Sequence, residues 1–135
     1  YNLNTPLGSQ LSRQLKAGSD VRLVNSPSEA QAILYILGER RSRNVVAYNA
    51  YGDAREYELK LEVSFRLAAP DGALYLPDTV IPAVREISYN EEDYLTRDTE
   101  EALVINEMLS DIVVQMVRRI EKAQPPKQPE DLTTR

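Results

Sequence analysis

Neither cysteine nor histidine occurs among the 135 residues. Without cysteine there is no disulfide, no thiol nucleophile and no thiolate ligand. Without histidine, the commonest metal ligand and the side chain that titrates near neutral pH are gone as well. A Ser-His-Asp or Cys-His catalytic arrangement cannot be assembled from this chain. No apolar run approaches the ~20 residues a helix needs to cross a bilayer. Cations are not in excess: 16 Lys and Arg stand against 21 Asp and Glu, a formal net charge of -5. That balance argues against a general nucleic-acid binder with its broad basic footprint. The chain opens at Tyr1 without Met or a recognisable signal segment. The expectation is a mature or trimmed form whose targeting segment or lipid anchor lies outside the sequence.

What is present is a good deal of pattern. Hydrophobic residues make up 42% of the chain, enough for one domain with a core of its own. The clearest stretch is residues 55–67. Tyr57, Leu59, Leu61, Val63, Phe65 and Leu67 alternate there with Glu56, Glu58, Lys60, Glu62, Ser64 and Arg66. A period of two over a dozen residues predicts a strand with one face on a core and the other toward water or a polar partner.

The neighbouring elements follow from similar signals. Leu7, Leu11 and Leu15 recur at helical spacing, with Thr5 as N-cap, Pro6 as first helical residue and Gly18 at the exit. Residues 20–24 read as a short strand. Residues 30–37 are almost wholly apolar on both alternations, which predicts a strand inside the sheet with both faces covered. It continues as one long, bulged strand through Tyr48. Gly52-Asp53 marks a hairpin connection and Pro70-Asp71-Gly72 a second turn. The returning strand, residues 73–76 and 80–89, is interrupted by Pro77 and Pro82, so it is either an edge strand or broken by a bulge. A helix then runs from Thr96 or Thr99 to Lys122. Its stripe is Ile105, Leu109, Ile112, Met116 and Ile120, widened by Ala102, Leu103 and Val113.

These elements predict an α+β fold: a two-layer sandwich with a mostly antiparallel sheet of about four strands and two helices packed on one face. Residues 1–122 form a single domain, and residues 123–135 a disordered Pro-rich tail.

Little in this pattern is catalytic. Glu56, Glu58 and Glu62 share a strand face, and Glu91, Glu92 and Asp93 share a loop. Neither group has the apolar setting that shifts one carboxylate's pKa for acid–base work. The second lacks the ligand and glycine spacing of a calcium loop. Gly52 and Gly72 are turn glycines with no phosphate-loop spacing around them. The expectation is therefore no enzyme, no cofactor and no metal. The basic run Arg40-Arg41-Ser42-Arg43 has two readings. As a group, its guanidiniums suit a phosphorylated ligand, which they can hold bidentately. The simpler explanation is a solvated strand edge that discourages strand addition. Tyr48, Tyr51 and Tyr57 around the hairpin are either core or an amphipathic contact surface, with Tyr57 the best candidate for core.

Several stretches taken together resemble the LptE family of lipopolysaccharide-assembly lipoproteins. Pro6-Leu7-Gly8-Ser9-Gln10-Leu11 is similar to the family's first helix, and Ala54-Arg55-Glu56-Tyr57-Glu58-Leu59 to its central strand entry. Val84-Arg85-Glu86-Ile87-Ser88-Tyr89-Asn90 resembles its returning strand. Leu95-Thr96-Arg97-Asp98-Thr99-Glu100-Glu101, followed by Ile105-Asn106-Glu107-Met108 and Gln115-Met116-Val117-Arg118-Arg119-Ile120, resembles its last helix. The likeness spans residues 6–120 and rests on order and spacing rather than on one diagnostic motif.

The resemblance implies a non-enzymatic lipoprotein on the periplasmic side of the Gram-negative outer membrane. It implies a partner, the LptD β-barrel, which such proteins plug, and a ligand, lipopolysaccharide. It also implies an N-terminal lipid anchor and a first strand, neither of which is in this chain. The family's ligand-binding cation before the last helix corresponds to Arg97. A second basic position, at the hairpin, falls near Ala50, so Arg55 or the Arg40 to Arg43 cluster, with Arg41 and Arg43 the candidates within it, would have to supply that charge. A periplasmic scaffold of the same fold without lipid binding is the alternative.

Overall fold

The computed structural model describes residues 5–18, 30–88 and 97–123, the side chains of Gly18, Arg97 and Asp98 excepted. In chain order the elements are helix α1 (Pro6–Gly18), strands β1 (Ile33–Tyr48), β2 (Ala54–Ala68) and β3 (Leu74–Ser88), and helix α2 (Arg97–Lys122). The strands form one antiparallel sheet in the order β1-β2-β3, and both helices cover the same face. This is the expected α+β sandwich, with three strands among the described residues rather than about four.

Helix α1 starts where Thr5 and Pro6 place it. The Gly8 N–H donates to Thr5 Oγ1 at 3.1 Å, which satisfies one of the donors that a helix start leaves open. Leu7, Leu11 and Leu15 are all buried. In β2 the inward set Tyr57, Leu59, Leu61, Val63, Phe65 and Leu67 is buried, while every residue from Glu56 to Arg66 between them is half-buried. One pleated face packs on the helices, and among the described residues no element covers the other. Gly52 and Gly72 both take positive φ (83° and 95°), and each closes the hairpin turn the sequence predicts there.

The expectation for β1 needs correcting. Its apolar first half does not lie inside the sheet with both faces covered. Among the described residues β1 is an edge strand, none of its residues is buried, and Tyr35 and Leu37 are exposed. The covered place in the middle belongs to β2, which has a neighbour on each side. β1 is continuous but bulged, with register shifts between Ile36 and Gly38 and again between Val45 and Tyr48. β3 is likewise continuous and at an edge. The discontinuity at Pro77 is a register shift, since Phe65 pairs with Thr79 but Leu67 with Leu76. Pro82 is accommodated opposite Glu62, as an edge strand permits.

Helix α2 buries Ile105, Met108, Leu109, Ile112, Val113, Met116 and Val117. The predicted widening of its stripe by Ala102 and Leu103 is wrong: both are exposed, Leu103 at 61%. The apolar face broadens through Met108 and Val117 instead. The two helices are joined by a polar bridge. Gln10 Nε2 donates to Asn106 Oδ1 at 3.1 Å, and Ser110 Oγ donates to Gln10 Oε1 at 2.7 Å. Asn106 and Ser110 are one turn apart on α2, so a single glutamine of α1 spans both. The predicted strand at 20–24, the acidic loop at 91–93 and the tail after residue 123 lie outside the described residues.

Candidate functional site

Strand alternation decides which arginines can act together. In antiparallel pairing, directly opposed residues share a face. Arg43 is opposite Leu59 and Arg41 is opposite Leu61, so both lie on the helix-covered side. Arg40 is opposite Glu62 and lies on the uncovered side. The basic run is therefore split between the two faces of the sheet, and its three guanidiniums do not converge on one ligand. Arg41 and Arg43 remain as a pair, two residues and ~7 Å apart along the strand. Both are exposed.

Arg43 is already engaged. Its Nη1 lies 3.1 Å from Glu101 Oε2 of α2, and its guanidinium sits 5.1 Å from the centroid of the Tyr57 ring, within cation–π range. Arg41 has no hydrogen-bond or ion-pair partner among the described residues. Arg55 is exposed at the start of β2. Arg97 opens α2, one turn before Glu101. Since Glu101 contacts Arg43, the backbone brings the start of α2 to the same end of the molecule as Arg43 and the first hairpin. Three of the four predicted cations, Arg97, Arg43 and Arg55, thus belong to one end, and Arg41 lies one step further along β1. The Arg97 side chain is outside the described residues.

Sequence reasoning passed over the two contacts that orient α2. One is Arg43 with Glu101. The other is Arg85 of β3, whose Nη2 donates to Asp111 Oδ2. A signal was available: Arg85 is opposite Leu59, so it is a charge at an inward alternation of its strand. Such a position calls for a partner on the covering layer.

The uncovered face has its own order. Near the first hairpin it carries Glu56, Glu58 and Glu86, with Glu58 and Glu86 directly opposed. Further along, Lys60 Nζ meets Glu62 Oε1 at 2.9 Å. Val80 and Val84 of β3 stand exposed beside this row. At the far end Arg66 grips Asp78 in a two-point contact, Nε to Oδ1 at 2.5 Å and Nη2 to Oδ2 at 3.1 Å. Hydrogen bonding to Arg66 holds the Asp78 carboxyl below its ordinary pKa and, reciprocally, raises that of Arg66. The pair borders a shallow cleft of about 560 Å³ that Tyr35, Leu74 and Pro77 also line. No group of acidic side chains is arranged to hold a metal ion among the described residues.

An α+β sandwich with one face covered by helices, the other charged and uncovered, and a group of arginines at one end has the character of a binding or assembly domain. Solved structures share the arrangement. The chain is similar to the solution structure of an uncharacterized lipoprotein B from Nitrosomonas europaea, at 24% identity and a TM-score of 0.77 over 87% of this chain and 76% of that one. It is similar to the crystal structure of the rare lipoprotein B from Shewanella oneidensis, at 20% identity and a TM-score of 0.74 over 87% and 86%. A minor lipoprotein from Acinetobacter baumannii matches at 23% identity and a TM-score of 0.72 over 93% and 90%. A comparison with curated proteins gives no match. Residues 1–120 match the LptE family, lipopolysaccharide-assembly, and the chain belongs to that family.

Proposed function

We propose that this protein is a non-enzymatic component of the outer-membrane lipopolysaccharide translocon. In this reading it plugs the LptD β-barrel, binds lipopolysaccharide, and assists both delivery of the lipid to the outer leaflet and assembly of the barrel. It works from the periplasmic side, held by an N-terminal lipid anchor. The observation that carries the reading is the family match over residues 1–120.

The physical features are consistent with it. A phosphorylated lipid needs charge-assisted donors, and Arg97, Arg43 and Arg55 belong to one end of the sheet, with Arg41 a step away. A plug needs a polar surface against a hydrated lumen, and the uncovered face of β2 alternates Glu56, Glu58, Lys60, Glu62, Ser64 and Arg66.

The test is lipopolysaccharide binding by the purified protein beside Arg97→Asp, with circular dichroism to establish that both are folded. Reduced binding by a folded variant supports the translocon reading with Arg97 in the ligand site. Equal binding removes Arg97 from that site and turns attention to Arg41, Arg43 and Arg55. No binding by the wild type favours the periplasmic scaffold without lipid binding.

A further inference from the structure

The tip of the first hairpin combines three properties found together nowhere else among the described residues. First, it is uncharged: from Asn44 to Gly52 there is no acidic or basic residue, in a chain that is 27% charged. Second, it is apolar on several sides. Val45, Val46, Tyr48 and Tyr51 are all exposed, Tyr48 at 65% and Tyr51 at 86%. Val45 is opposite Tyr57 and Ala47 opposite Glu56, so apolar residues of this arm lie on both faces. Third, it is held firmly. Asn49 Oδ1 accepts hydrogen bonds from the Tyr51 and Asp53 N–H groups, each at 2.9 Å. The Asn49 N–H donates to the Asp53 carbonyl at 2.8 Å, and the Gly52 N–H to the Asn49 carbonyl at 3.1 Å.

An exposed tyrosine by itself means little. A preorganised turn that presents one ring is different, because binding then costs little ordering entropy. Tyrosine is among the residues that dominate interface energetics, and charges are depleted at interface centres. Apolar side chains on both faces of a hairpin suit a socket that encloses the tip better than a flat patch that meets one side. The charges nearest the tip along the chain, Asp53 and Arg55, are of opposite sign, so the turn itself carries no net charge.

We propose that the hairpin tip is an anchor for a protein partner, with Tyr51 entering an apolar socket and Tyr48 and the two valines forming its collar. The proposal rests on the barrel reading above: the partner is that barrel.

The test is co-purification of the full-length lipoprotein with its cognate barrel, comparing wild type, Tyr51→Ala and Tyr51→Phe, alongside lipopolysaccharide binding by each. The expected result is a loss of about tenfold or more in barrel recovery for Tyr51→Ala. Tyr51→Phe should retain recovery, and lipopolysaccharide binding and the melting temperature should not change. Wild-type levels of barrel with Tyr51→Ala overturn the anchor while leaving the barrel reading intact. No barrel with the wild type overturns the barrel reading and, with it, this choice of partner. Loss of lipopolysaccharide binding by a folded Tyr51→Ala assigns the tip to the lipid instead and overturns the anchor. The chain has no tryptophan, so Tyr51→Trp is a clean probe. A blue shift on phosphatidylglycerol vesicles without the barrel would likewise overturn the proposal in favour of a membrane surface.

Discussion

Arg43 and Arg85 stand on either side of Leu59 in a single rung of the sheet, and each holds an acidic residue of α2. The rung is two strand spacings wide, roughly 10 Å. Glu101 and Asp111 are ten residues apart (111 − 101), which is ~15 Å of helix. The helix therefore crosses the sheet obliquely, from the β1 side at its start toward β3.

Removing either clamp should loosen α2 modestly. The Arg43–Glu101 pair is partly exposed, at 49% and 21%, so its coupling should be ~0.2–1 kcal/mol. A double-mutant cycle of Arg43→Ala and Glu101→Ala in urea unfolding measures that coupling, and it should shrink at high salt. Arg43→Ala alone should cost more than Glu101→Ala, since it also gives up the contact with Tyr57, worth roughly 0.5–1 kcal/mol at exposed sites.

Glu101→Gln bears on function. It frees the Arg43 guanidinium without deleting it. If Arg43 helps to hold a phosphorylated lipid, lipopolysaccharide binding should strengthen several-fold while Arg43→Ala weakens it. Unchanged binding in both would confine Arg43 to a structural role.

The core should be unforgiving at Phe65 and indifferent at Leu103. Phe65 is fully buried on the central strand, and Phe65→Ala should cost ~3–5 kcal/mol. Leu103→Ala should stay within ~0.5 kcal/mol. Urea midpoints at constant m-value separate the two.

The turn glycines give a test of backbone strain by itself. No atom lies within 4 Å of where a Cβ would sit at Gly72, yet its φ is +95°. Gly72→Ala should therefore destabilise by ~1–2 kcal/mol from conformation alone, with no clash to relieve. A nearby second mutation that makes room should not rescue it.

Acid should find Asp78. Its folded pKa lies below the ordinary 3.8 because of Arg66, so the unfolded chain takes up the proton first as pH falls. The pair's contribution is fully present above the unfolded value and disappears as pH drops through the folded one. Asp78→Asn should differ from wild type by a constant small margin between about pH 5 and 7, and the margin should close toward about pH 2. Urea midpoints across that range give the comparison, and a margin that widens in acid would contradict the assignment.

How much of this was readable in the chain depended on whether the signal was local. The inward set of β2 is a strict alternation, and the leucines of α1 recur at one helical spacing, so each element shows its buried face in its own residues. β1 did not. Whether a strand is central or marginal depends on its neighbours, and the apolar run through Tyr35 and Leu37 is the same string of letters in either place. The α2 stripe failed at its start for a different reason. At 3.6 residues per turn Leu103 lies roughly 200° round from Ile105, on the solvent side, while Met108 and Val117 fall beside the stripe and are buried. The arginines were legible as residues but not as a site. Alternation placed Arg40 away from Arg41 and Arg43, and only pairing with β2 reveals which side is which.

The two edges of the sheet are not equivalent, and this limits how copies of the molecule can meet. β3 carries Pro77 and Pro82, and each removes one backbone donor from that strand. β1 has no proline from Ile33 to Tyr48. A filament grows when unlike surfaces join in sequence, the leading edge of one copy to the trailing edge of the next. Here one of those surfaces is interrupted by proline. Among the described residues β1 is the edge without proline, and a β1-to-β1 contact would close on itself after two. The prolines thus make the β3 side of this sheet a poor template for a further strand.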